Sequence, residues 1–166
     1  MGKVQEAFGI GSPGAVSRSV DEIVISVKNA SSEDIPFGAP VFLSGSGAAS
    51  FSVSAPQDFA SFLGFAVRVA DKTPDTYPAG QFGDGPEGSW KPGDVMEVLV
   101  RGGIAVKTAA SGTHGGKLYI RKSDGQLTPE AGEAGTTVLL ENVRIRNPRN
   151  TLGPCAEVIV NERNSI

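Results

Sequence analysis

At 166 residues the chain has the length of a single domain, enough to bury a core without metal or disulfide staples. Eighteen acidic against fifteen basic residues leave a net charge of −3, which removes the electrostatic case for a DNA or membrane surface as partner. A lone cysteine excludes an intrachain disulfide framework, no apolar run reaches the ~20 residues of a membrane span, and no charged-then-apolar signal segment opens the chain, so a soluble protein made in a cytosol is expected.

In chain order, residues 1–18 are rich in small residues and read as an extended, flexible N-terminal arm with Phe8, Ile10 and Val16 as its anchors; residues 19–166 read as a single β domain. The arm spells GxGxxG from Gly9 to Gly14. A dinucleotide fingerprint needs a buried strand before it and a helix after it, whereas here Pro13 intrudes and β-branched Val20, Ile23, Val24 and Ile25 follow. Val20 to Val27 is the first expected strand, with Ile23, Ile25 and Val27 on one face, and Asn29-Ala30-Ser31 matches a glycosylation sequon with nothing to mark secretion. Pro40 to Leu43 is a short strand leading into a small-residue loop, Ser44 to Ser50, and Pro56 to Leu63 carries Phe59, Phe62 and Leu63 at helical spacing. Phe65, Val67 and Val69 alternate in another strand. Asp71 to Ser89 then lacks periodicity, and loops of that length in a compact domain are usually functional or disordered. Its aromatics Tyr77 and Phe82, with Trp90 just beyond, suit contact with another surface.

Trp90 to Lys107 organises the rest. Lys91-Pro92-Gly93-Asp94 places proline and glycine where a type II turn wants them. The alternation from Val95 to Arg101 puts Met96, Val98 and Val100 on one face, and Gly102-Gly103 predicts a tight hairpin after which Ile104 and Val106 resume the inward face. Leu118 with Ile120, a turn at Asp124-Gly125, one long strand or two over Thr137 to Arg146, and Ala156, Val158 and Val160 complete eight or more short strands. That count at 8 to 12 residue spacing predicts an all-β fold, a β-sandwich or barrel.

Reactive groups are sparse. His114 is the sole histidine, and nothing requires it to meet Cys155 as a base meets a thiol. One histidine and one cysteine fall short of a usual zinc set, so no metal, cofactor or catalytic residue is assigned. Asp71, Asp75, Asp84 and Glu87 crowd the long loop without EF-hand spacing, leaving a structural calcium as a minor reading. Asp84, Glu87 and Asp94 are the carboxylates a small hydrolase would use. Arg144, Arg146 and Arg149 form a local basic cluster that alternates with Val143 and Ile145, the pattern of a wet strand face rather than a nucleic-acid footprint.

Phe62-Leu63-Gly64-Phe65-Ala66-Val67, then Lys91-Pro92-Gly93-Asp94 and Val98 to Val106, followed by Gly116 to Ile120, Asp124 to Thr128 and Ala156 to Asn161, resemble in order and spacing the capsid cement (decoration) proteins of tailed bacteriophages. The likeness spans Phe62 to Asn161; Pro154-Cys155 and the long loop Thr73 to Gly88 depart from it. It implies a jelly-roll-like β fold, a homo-oligomer (dimer or trimer) on the outside of an icosahedral head, the phage major capsid protein as partner, and no catalytic residues. Phe8, Ile10, Val16, Tyr77, Phe82 and Trp90 are the expected capsid or subunit contacts. The alternative is a carbohydrate-binding or host-attachment β module using Trp90, Tyr77, Phe82 and the loop carboxylates.

Overall fold

The computed structural model describes residues 10–17, 21–52, 58–69 and 88–161. Eleven strands lie among them: β1 (Ile23–Lys28), β2 (Ile35–Pro36), β3 (Pro40–Ser44), β4 (Gly47–Ser50), β5 (Phe62–Ala66), β6 (Ser89–Trp90), β7 (Val95–Lys107), β8 (Lys117–Arg121), β9 (Leu127–Thr128), β10 (Thr137–Asn147) and β11 (Cys155–Val160). The helical spacing before Leu63 yields one 3-10 turn, Phe59–Ser61. The fold is all-β, as the spacing of short apolar runs predicts. Nine strands form one open antiparallel sheet in the order β4-β3-β5-β7-β11-β10-β8-β9, with β1 on the other edge of β7; β2 and β6 pair separately.

The sheet turns on β7. The hairpin expected at Gly102-Gly103 is absent, and residues 95–107 run as one 13-residue strand. A two-residue type I′ turn needs positive φ at both central residues; here Gly102 alone has it, at φ +117. The effect of Gly102 is to invert the pleat. Met96, Val98 and Val100 before it face one core, whereas Ile104 and Val106, of the same parity, face another. The β1–β7 register skips a residue at the same place, with Ile23 opposite Arg101 but Val24 opposite Leu99. The first half of β7 thus belongs with β1 and β5, and the second half with β11.

Two cores follow. The first lies between the halves of the sheet, where Phe42, Phe62, Phe65 and Leu99 meet Leu118, Ile120, Leu140, Ile145 and Val158. Its phenylalanines interlock edge to face, Phe62 lying 5.7 Å from Phe42 and 5.4 Å from Phe65 between ring centroids, the favoured geometry for aromatic pairs. The second core fills the concave side of the first half with Ile35, Val41, Leu63, Trp90 and Met96. That half curls until β1 reaches β4 through an Asn29–Ala48 bridge, with the Ala30 amide donating to the Ala48 carbonyl at 2.9 Å. Ser44 to Ser50, expected as a loop, supplies β4 there: small side chains let the chain fold back on β3 as a hairpin.

Asn29 pins this corner. Fully buried, it donates through Nδ2 to the carbonyls of Glu33 and Trp90 at 3.0 and 3.1 Å, and its Oδ1 accepts from the Ser31 amide and hydroxyl. A side chain so committed is no glycan acceptor, so the sequon is coincidental. Residues 10–17 of the expected arm run beside the second half of β7: Gly14 and Ser17 donate to the carbonyls of Ala105 and Gly103, Ala105 donates back to Ala15, and Val16 packs on the first core.

Candidate interaction surface

The chemical candidates do not converge. His114 is exposed, its Nδ1 2.6 Å from the Arg146 carbonyl oxygen, whereas Cys155 is buried in β11 opposite Lys107. Asp94 closes the turn before β7 by accepting from the Lys91 amide. Among the described residues no three of His, Cys, Asp and Glu cluster as a cation site would require. Asp71, Asp75, Asp84 and Glu87 lie outside the described residues.

Of the six expected contacts, Phe8, Tyr77 and Phe82 also lie outside them. Ile10 is half-buried, and Val16 is half-buried against the first core. Trp90 takes a core role in place of the surface role expected for it. It is 4% exposed, its indole N–H donates to the Val67 carbonyl at 3.0 Å, and Phe37 meets it edge-on. Its place beside a glycine-rich stretch carries no local mark of burial; the β2–β6 pair folds it inward.

The same pair is tied at the surface by Asp34, which accepts from Lys91 and Ser89. Those hydrogen bonds, Lys91's first, hold the Asp34 carboxyl below its ordinary range. A depressed acid stabilises the fold above its unfolded value, about 3.9, and that contribution is lost as the pH falls through the lower folded value. The gap in thermal midpoint between wild type and Asp34→Asn should therefore be present at neutral pH and close below about pH 4. An unchanged gap in acid would refute the tie.

Two surfaces face outward with apolar content. The first is β1, where Ile23 and Val24 are 38% and 39% exposed on a strand whose outer edge, before the Asn29 bridge, pairs with no strand among the described residues. The second is the outer face of the β11-β10-β8 half. Alternation sends Leu118, Ile120, Val138, Leu140, Val143, Ile145 and Val158 inward and leaves Lys117, Tyr119, Leu139, Arg144 and Ile159 outward. Cross-strand register then sets Leu139 opposite Tyr119, and Arg144 between Ile159 and Lys117. Alternation in the sequence marks which residues leave the core; it carries no information on which cations become neighbours.

Proteins that work through such surfaces are recognised by kinship better than by any constellation. The family model described as structural cement protein (E217 gp24/Pam3 gp6) matches residues 2–159. The chain belongs to that family. It is a phage capsid cement protein, with a structural role in the virion capsid and an association with capsid proteins. Among solved structures, a chain from one described as the capsid of Myoviridae phage XM1 resembles this cement protein with a TM-score of 0.69 over 96% of each chain, at 17% identity, a likeness of fold. No curated protein matches the chain.

Proposed function

We propose that this cement protein sits on the outside of the phage head as a homo-oligomer, dimer or trimer, and bridges neighbouring major capsid protein subunits. The family match over nearly the whole chain carries the reading. Physics supports it: a shell repeats one surface many times, and a linked set of modest contacts gains ~10² to 10⁴ in avidity over one. The exposed β-branched edge of β1 suits pairing with a neighbour's strand, and Phe8, Ile10, Tyr77 and Phe82 are kept as contacts on the same reading. Nothing favours the carbohydrate module, one of whose three aromatics, Trp90, is buried.

The experiment adds purified protein to heads lacking it and images them by cryo-electron microscopy. Ordered density outside the shell at symmetry positions is expected; bare heads at saturating protein would overturn the proposal. Light scattering on the purified protein should give two or three copies, and a strict monomer both free and on the head would refute the oligomer.

A further inference from the structure

We propose that the outer face of β8, β10 and β11, centred on Lys117 and Arg144, is the surface through which this protein grips an acidic patch of its capsid partner. The inference rests on the cement reading above. It begins from an unresolved repulsion: Arg144 and Lys117 are direct cross-strand partners, and like charges so placed destabilise a sheet. Neither forms an ion pair among the described residues. Of the carboxylates on these strands and turns, Asp124 is engaged by Arg121 at 2.6 Å and Glu157 by Asn147 and by Arg146 at 3.6 Å, while exposed Glu141 meets Arg144 through its backbone carbonyl and forms no ion pair among the described residues. Arg144 is also held in place, its Nη1 donating to the carbonyls of Glu141 and Val143 at 2.8 Å each, so little side-chain freedom remains to be lost on docking.

The setting is that of an interface. Half-buried Tyr119, Leu139 and Ile159 surround the cations, and tyrosine and arginine over apolar neighbours are enriched at the energetic centres of protein contacts. Beyond them opens a groove of about 480 Å³ lined by Arg121, Lys122, Thr128, Glu130 and Thr137, among others, with Glu130 its one acidic group. Charge across the chain is uneven in the same sense. Residues 21–101 carry eleven acidic and five basic side chains, whereas 102–161 carry five acidic and seven basic. A positive face on a protein of net charge −3 selects a carboxylate-rich polypeptide surface over a polyanion such as DNA, which the acidic half would repel.

Lys117→Glu separates docking from folding. The new carboxylate would lie opposite Arg144, so the thermal midpoint should hold or rise, while binding to heads lacking the protein, measured by co-sedimentation, should weaken at least tenfold. Wild-type binding should itself weaken from 50 to 300 mM salt. Wild-type binding with Lys117→Glu and Arg144→Glu each unimpaired would overturn this face and leave the cement role standing. Competition by duplex DNA, or loss of self-association instead of head binding in Lys117→Glu, would reassign the face to nucleic acid or to a second copy and overturn the acidic-partner proposal. Failure of wild-type protein to bind heads at all would overturn both readings.

Discussion

Gly64→Ala is expected to destabilise the protein by roughly 3 kcal/mol or more, the upper range for forcing atoms into a packed site. Local considerations point the other way: Gly64 does not have positive φ, and glycine to alanine at such a position usually stabilises by ~0.4 to 1 kcal/mol through the unfolded chain. The close approach decides the sign. A Cβ at Gly64 would lie 2.0 Å from the Leu99 carbonyl oxygen, an atom of the β7 backbone that cannot rotate away, so β5 would have to leave β7. That junction carries Phe65 opposite Leu99 and borders both cores. Gly45→Ala, where nothing lies within 4 Å, is the control and should be neutral or slightly stabilising. Urea unfolding of the two variants checks the claim; a Gly64→Ala protein as stable as wild type would sink it.

Trp90→Ala should cost about 4 kcal/mol, in the range for emptying a large aromatic from a core, and lower the thermal midpoint by roughly 10 °C for a chain of this length. The loss has parts that can be separated. Trp90→Phe keeps much of the apolar volume but leaves the Val67 carbonyl without its indole donor, at about 1 to 2 kcal/mol. The Trp90 carbonyl also accepts from Asn29, so both changes are felt at the corner where β1 meets β4. Equal midpoints for Trp90→Phe and Trp90→Ala would show that packing mass contributes nothing there, contrary to its 4% exposure. Because β1 is the strand with the exposed apolar edge, Trp90→Ala is also expected to weaken head binding, through the shape of that edge.

Strand positions were legible wherever alternation met turn chemistry. Met96, Val98 and Val100, Leu118 with Ile120 and Val158 with Val160 are buried as the alternation predicts, although Leu99 on the opposite face is buried too, in the first core, and Gly93 takes the positive φ, +85, that a type II turn needs. Asp124-Gly125 likewise turns the chain between β8 and β9, although over a longer loop than a two-residue hairpin, with Arg121 and Asp124 paired across it. Predictions failed where one residue type serves two geometries. Gly102-Gly103 is a hairpin signal and equally a pleat inversion within one strand, and only the partners of β7, β1 and β5 before it and β11 after it, distinguish the two. Trp90 failed for a related reason: a tryptophan beside a glycine-rich loop has no local mark telling whether it faces out or is covered by the Ile35–Trp90 pairing.

Composition and period alone determined that this is a β protein without a catalytic set legible in its motifs, because solvent and core sort side chains locally, residue by residue. The order and spacing of its hairpins pointed to a phage cement protein. Which strands adjoin was settled only by tertiary structure, since register depends on contacts far apart in the chain. That long-range pairing splits the core in two at Gly102 and turns Trp90 inward. It also brings Lys117 to face Arg144, two cations separated by 27 positions in sequence, and so makes one charged face out of unremarkable strands.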